Sequence, residues 1–344
     1  MVINGETLSQ EKIQEIKHLV QSENLQYSGQ AKYHALDIRE AYIEKITADV
    51  KLSRQLKIVV DAGNGVAGNI APVLYRRMGA KVLGLFCDVD GTFPNHHPDP
   101  SRPENLVDLI KAVALSDAEF GLAFDGDGDR LGIITKDGRI IYPDRQLMLF
   151  AAEVLEKNPK AKILFDVKSS RLLPRWIEEH GGNAIMCKTG HSLVKAKIKE
   201  TGALLAGEMS GHIFFNDRWY GCDDGVYAGA RMLEILSQVE NPSDLLDALP
   251  NAISTPEINI AVGEGEQHKI IEKLQKTAKF KDAVEVITID GLRVEYPDGF
   301  GLVRASNTTA VLVLRFEADT ESGLKRIQEQ FRKILKTYVD NVNF

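Results

Sequence analysis

The stretch FGLAFDGDGDRLG, residues 120–132, runs an apolar segment into three carboxylates, Asp125, Asp127 and Asp129, spaced by Gly126 and Gly128 and followed by Arg130. A short apolar run closed by turn residues reads as a buried strand. Asp125 then lies where that strand ends, at the edge where parallel α/β sheets place their ligands. If the loop stays extended, residues i, i+2 and i+4 project to one side, and the intervening glycines add no bulk. Converging carboxylates repel one another and take up protons unless a cation compensates, and hard oxygen ligands suit Mg2+ or a similar divalent ion. The bland alternative is a polar loop of solvated charges, which would suffice for a lone Asp-x-Asp. An EF-hand is excluded, because its sixth position would be Arg130 instead of Gly and its twelfth Lys136 instead of Glu.

Around this loop, strands alternate with helices. Two amphipathic helices, near residues 8–22 and 37–52, precede the strand LKIVVDAG (56–63), the helix APVLYRRMG (71–79), the strand AKVLGLFCD (80–88), a helix near 104–115, and the strand ending at Asp125. This βαβαβ order predicts a parallel sheet. GRIIYPDRQ (138–146) leads into the helix 147–158, the strand KILFDV (162–167), the helix 171–182 and a further round closing on the helix 224–238. After about residue 251 the rhythm changes to strands, a helix at 268–278, more strands and a closing helix from Leu324, an α+β pattern.

Composition narrows the functional classes. A chain of 344 residues, 44% hydrophobic and 26% charged, is long enough for several domains and too apolar to be disordered. A net charge of −7 without a basic block argues against nucleic acid as the main partner, and no apolar run is long enough to span a membrane. Cys87, Cys187 and Cys222 are odd in number and far apart, which suits a reducing compartment; we expect a cytoplasmic protein.

Further loops share the address of the aspartates. GFGLVRASNTTAVLVLRF (299–316) sets Arg304, Ser306, Asn307, Thr308 and Thr309 between apolar segments, a guanidinium fork beside hydroxyl and amide donors that suits a phosphate. A Ser- and Asn-rich hairpin turn would explain the hydroxyls but not Arg304. LLAGEMSGHIFF (204–215) offers Glu208, Ser210 and His212 to sugar hydroxyls. KTGHS (188–192) brings Lys188, Thr189, Gly190 and His191 to a helix start, and FDVKSSR (165–171) puts Lys168 and Arg171 just after a strand. Taken singly, the Glu208 loop is a weak signal, and any one of the KTGHS or FDVKSSR residues is better read as a capping or surface residue than as a ligand contact. Gly63, Gly65 and Gly68, with Asp88 further on, also fit a dinucleotide fingerprint, but that reading leaves the aspartates and the Arg304 loop unexplained.

Taken in order, AFDGDGDR, KTGHS, GEMSGH and RASNTT, with DAGNGVAG, FPNHHPDP and STPEINI, resemble the alpha-D-phosphohexomutases, in particular the bacterial phosphomannomutase/phosphoglucomutase branch, over essentially the whole chain. The resemblance implies a phosphoserine enzyme that isomerises hexose phosphates, mannose or glucose, through glucose or mannose 1,6-bisphosphate. It also implies two successive α/β three-layer domains with mixed, largely parallel sheets (53–139 and 140–250), a C-terminal α+β domain (251–344) and an N-terminal remnant (1–52). By it, Asp125, Asp127 and Asp129 hold Mg2+ and Arg130 lies beside the transferring group. Glu208, Ser210 and His212 hold sugar hydroxyls with Thr189, Gly190 and His191 nearby, and Arg304, Ser306, Asn307 and Thr308 grip the non-reacting phosphate. Lys168 adds charge stabilisation, and His212 is the implied proton-transfer partner. The family's Ser-His-Asn-Pro nucleophile loop has no match in these residues. The resemblance therefore predicts a missing serine domain of about a hundred residues, no turnover by this chain alone, and docking with that domain. Without it, self-association through Ile13, Ile16, Leu19 and Val20 is expected.

Overall fold

The computed structural model describes residues 2–3, 6–8, 10–22, 29, 32–339, 342 and 344. A short antiparallel ribbon, β1 (Val2–Ile3) with β2 (Glu6–Thr7), precedes α1 (Gln10–Gln21), whose Ile13, Leu19 and Val20 are exposed. The helix α2 (Arg39–Asp49) differs: Ile43 and Ile46 are buried in the main core, so residues ahead of the first sheet contribute to its packing.

The first sheet is built from β3 (Lys57–Asp61), β4 (Lys81–Leu85), β5 (Phe120–Phe124), β6 (Leu131–Thr135) and β7 (Ile140–Ile141), in the order β4-β3-β5-β6-β7. The pairs β3/β4 and β3/β5 are parallel, as the βαβαβ order predicts, with α3 (Ala71–Arg77) and α4 (Val107–Leu115) as crossovers. After the aspartate loop the chain turns back, and β6 and β7 add antiparallel strands. This hairpin adds to the strand order expected from the sequence. Its signal is Lys136-Asp137-Gly138 between two apolar runs, where Gly138 donates to Thr135 and takes a left-handed φ of 80°.

The second sheet has the order β11-β10-β8-β9, from β8 (Lys162–Asp166), β9 (Asn183–Cys187), β10 (Leu205–Gly207) and β11 (Ile213–Phe215). Only β11 is antiparallel; α6 (Leu172–Glu179) and α7 (His191–Thr201) cross over between strands. Between the two sheets lie α5 (Pro143–Lys157) and α8 (Gly225–Leu236), whose apolar faces merge with both sheets into one core containing Phe124, Phe150, Phe215 and Tyr227. Pro143 opens α5 at its first turn, and the Asp224 carboxylate caps α8 by accepting from the Tyr227 N–H.

After α9 (Pro242–Asp247) the C-terminal unit pairs β12 (Ile253–Ser254), β13 (Ile258–Ala261), β14 (Glu285–Ile287), β15 (Leu292–Tyr296), β16 (Gly299–Ala305) and β17 (Val311–Ala318) entirely antiparallel. α10 (Glu266–Thr277) and α11 (Glu321–Leu335) cover it around a separate core. A small seam of Val167, Phe300 and Leu302 joins this unit to the second sheet. Among the described residues no helix is long and apolar enough to cross a membrane, and the three cysteines are free thiols.

Candidate active site

The strands β3 and β8 end in an aspartate, Asp61 and Asp166, and Asp125 directly follows β5; each of the three is buried. The fold thereby sets carboxylates at the carboxyl edges of both sheets, where loops of separate sequence regions meet.

Carboxylate oxygens of Asp125, Asp127 and Asp129 all lie within 4.8 Å of one another, so the expected convergence is present. It does not arise from an extended loop. The chain turns: Gly128 adopts a left-handed φ of 77° and its N–H donates to the Asp125 carbonyl at 3.2 Å. Asp125 is tied down by Arg130, which donates its backbone N–H to Oδ1 at 3.0 Å and Nε to Oδ2 at 2.6 Å. The Arg130 Nη1 also meets Asp99 at 3.2 Å. Asp127 stands exposed, its carboxyl pushed above the usual carboxylate range by desolvation and by the neighbouring Asp125 charge. Asp129 Oδ1 is buried and receives no hydrogen bond; His212 Nε2 faces it at 3.3 Å as an ion pair. The repelled, exposed Asp127 carboxylate, converging with those of Asp125 and Asp129, is the feature a bound divalent cation would relieve.

The aspartate loop and the Glu208 loop are directly joined. Arg130 and His212 form an isolated antiparallel bridge, and the Leu131 N–H donates to the Gly211 carbonyl at 3.2 Å. His212 lies between two acids, with Asp129 on Nε2 and Glu208 Oε2 3.4 Å from Nδ1. Burial alone would lower its pKa, but the two carboxylates outweigh burial and push it up to about 9. As an imidazolium it donates Nδ1–H to the Ser210 hydroxyl at 2.8 Å. The His191 ring stacks on it at 5.8 Å, and His191 Nδ1 is fixed by Asp223 at 3.1 Å. Asp223 also accepts from Lys195 at 2.8 Å. Burial opposes ionisation of Asp223, but His191 and Lys195 hold its carboxyl well below the usual range. Asp129, His212 and Asp223 cluster closely enough to hold an ion, yet their charges already compensate one another.

Glu208 reaches the next loop by accepting from the Gly190 N–H at 2.6 Å. Thr189 donates its hydroxyl to Asp166 at 3.2 Å and its N–H to Asp290 at 3.0 Å. Asp290 in turn accepts from Arg304 Nε at 3.0 Å. Arg304 is 5% exposed and sits near the end of β16. In the turn that follows, the Ser306 hydroxyl accepts from the N–H groups of Thr308 and Thr309 at 3.3 and 3.2 Å, while Asn307, Thr308 and Thr309 face outward. The four loops picked out in the sequence thus form one continuous row of polar contacts.

Lys168 is buried at the edge of this row, where its ammonium donates to Glu257 at 3.0 Å, an acid of the C-terminal unit. Asp99, Asp166, Asp223, Glu257 and Asp290 escaped the sequence reading. Only Asp166 carried a usable signal, the same apolar-strand-then-Asp pattern as Asp125. The glycines that mimic a dinucleotide fingerprint serve backbone packing: Gly65 abuts the carbonyls of Asp125 and Gly126, and Gly68 abuts Cys87.

Comparison with known proteins places the fold. Phosphoglucomutase/phosphomannomutase alpha/beta/alpha domain II matches residues 40–138, alpha/beta/alpha domain III matches 142–253, and the C-terminal domain matches 257–334. A phosphoglucomutase of Neisseria meningitidis is 60% identical over 339 residues, 98% of this chain and 74% of that protein. A phosphomannomutase/phosphoglucomutase of Pseudomonas aeruginosa is 55% identical over 337 residues, 98% of this chain and 72% of that protein. The crystal structure of a phosphoglucomutase/phosphomannomutase family protein from Burkholderia thailandensis superimposes with a TM-score of 0.94 at 57% identity, covering 100% of this chain and 73% of that one. Matched by these three domain models over most of its length and by relatives more than half identical to it, the chain belongs to the phosphoglucomutase/phosphomannomutase family.

Proposed function

We propose that this chain supplies the metal, sugar and phosphate sites of a phosphohexomutase, which interconverts hexose 1-phosphate and hexose 6-phosphate of glucose and mannose through a phosphoserine and a bisphosphorylated sugar. The observation that carries this reading is the unbroken row from Asp125 through His212, Glu208 and Thr189 to Arg304, which offers a cation site at one end and an anion site at the other. A sugar carrying two phosphates asks for that order of partners.

Asp125, Asp127 and Asp129 would hold Mg2+, which supplies charge neutralisation to a phosphoryl group. Arg130 offers a guanidinium beside it. Glu208 accepts from sugar hydroxyls and Ser210 accepts from or donates to them, with Gly190 and His191 closing the same wall. His212, placed between Asp129 and Glu208, can give a proton to a departing sugar oxygen. Arg304, Ser306, Asn307 and Thr308 hold the phosphate that does not react. Lys168, paired with Glu257, adds positive charge at the edge of the row. Phosphoryl transfer depends on positioning and charge neutralisation more than on covalent work by the protein, and these residues provide both.

The 344 residues contain no Ser-His-Asn-Pro, so this reading takes the phosphoserine from a separate domain. That observation favours a second reading, a sugar-phosphate-binding protein without turnover. Two measurements separate them. Calorimetry should show glucose 1-phosphate and mannose 1-phosphate binding in the presence of Mg2+, which both readings require; no binding would overturn both. Conversion of mannose 1-phosphate to mannose 6-phosphate, primed with the bisphosphate, should be at background for this chain and rise when a separately expressed serine-loop domain is added. No rise leaves the binding reading; robust turnover by the 344 residues alone would require a nucleophile within them.

A further inference from the structure

Asp290 lies outside every motif of the site, yet it joins two of the site's loops. It belongs to the short link between β14 and β15 in the C-terminal unit. One carboxylate oxygen, Oδ2, takes both the Thr189 N–H from the second α/β unit and the Arg304 Nε–H from the neighbouring strand, each at 3.0 Å. Arg304 lies at the foot of the Ser306 turn, and its Nη2 is buried without a hydrogen-bond partner.

The backbone around Asp290 is built for this contact. Gly291 takes a left-handed φ of 85°, and a Cβ there would stand 2.4 Å from the Val303 carbonyl and 2.6 Å from Arg304 Cβ. Only glycine lets the link press against β16 at that point. Gln275 of α10 fixes the same turn from behind, donating to the Gly291 carbonyl at 2.6 Å. Asp290 is therefore pinned beside Arg304 before any ligand arrives.

We infer that Asp290 is a positioning residue that clasps the C-terminal unit to the Thr189 loop and, by holding Arg304 through Nε, aims the unpaired Nη2 edge at an incoming phosphate. A guanidinium is a planar fork: engaging Nε on one carboxylate leaves the Nη groups free for a second anion, with side-chain freedom already lost. The clasp also ties the sugar loop to the phosphate turn. This inference rests on the assignment of the Arg304 turn to phosphate.

The test titrates glucose 1-phosphate into the full chain and its Asp290→Ala, Asp290→Asn, Arg304→Ala and doubly substituted Asp290→Ala/Arg304→Ala forms, each checked by circular dichroism. On charge alone, removing an acid beside a cationic site strengthens anion binding, whereas loss of positioning weakens it. Asp290→Ala should weaken binding about five- to tenfold, the scale of one net hydrogen bond, and Asp290→Asn, which can still accept, by less. The double form should bind no more weakly than Arg304→Ala alone, because the effect of Asp290 passes through Arg304. The Thr189 amide should exchange with deuterium faster in Asp290→Ala than in the parent. Unchanged or tighter binding in Asp290→Ala, beside a loss in Arg304→Ala, overturns the clasp while leaving the phosphate turn intact. If Asp290→Ala does not fold, Asp290→Asn decides by the same sign. No loss in Arg304→Ala removes the phosphate turn and the clasp together.

Discussion

Arg130 is joined to Asp125 twice, backbone N–H to Oδ1 at 3.0 Å and Nε to Oδ2 at 2.6 Å, so the first aspartate of the loop is already committed to its own loop. Asp127, two residues on, is exposed and has no such bond to Arg130. The two acids should respond differently to removal. Asp127→Ala should abolish calorimetric Mg2+ binding while the unfolding midpoint stays put. Asp125→Ala should lose the ion and, because Arg130 loses a buried partner, about 1–3 kcal/mol of stability as well. A Mg2+ isotherm unchanged in Asp127→Ala would remove the metal assignment.

The contrast also shows what a sequence can disclose. The three aspartates after an apolar run, and the arginine beside a Ser-Asn-Thr turn, are local patterns, and the loops that carry them lie along one connected row. The means of convergence was not legible: the sequence suggested an extended loop, whereas Gly128 closes a turn. Asp223 and Asp290 were illegible for another reason. Each is an acid in a polar loop whose partner is supplied by tertiary packing, His191 for one and Thr189 for the other, so no spacing marks them. The α/β rhythm was readable because short apolar runs alternate with segments of helical period. The antiparallel β6–β7 return was readable from Asp137-Gly138 and was passed over.

Asp223 fixes His191 from one side and Lys195 from the other. Asp223→Ala frees the His191 ring and leaves the Lys195 ammonium without this counter-charge. The expected result is a fall in mannose 1-phosphate affinity of roughly three- to tenfold, about one charged hydrogen bond made less well, with Mg2+ binding retained. Equal affinity in parent and variant would take His191 out of the sugar wall.

Arg293 is a different kind of residue. It is 1% exposed, donates to the buried carbonyls of Val167 and Ser169 at 2.7 and 2.6 Å, and lies over the Phe300 ring at 3.7 Å. These carbonyls flank Lys168, so Arg293 ties the C-terminal unit to the loop that presents that lysine. Arg293→Ala strands both acceptors and removes the stacking contact, and should cost about 2–4 kcal/mol in urea unfolding. A cost under about 1 kcal/mol would mean that the seam is held by Val167, Phe300 and Leu302 without it.

The last prediction concerns pH. His96 Nε2 meets the buried Asp61 carboxylate at 3.1 Å, and its ring packs edge-on to Phe86. The hydrogen bond to Asp61 raises the His96 pKa above its usual value, against a smaller opposing effect of burial. A group whose folded pKa is raised contributes stability that is fully present below its unfolded pKa, about 6.5 for histidine, and is lost as pH rises through the folded value. His96→Asn removes that contribution together with the Phe86 packing, and the packing does not change with pH. The melting temperature of the parent should therefore exceed that of His96→Asn by more at pH 6 than at pH 8.5. A gap that stays constant between those values would mean that Asp61 and His96 are held together without a charge on the ring.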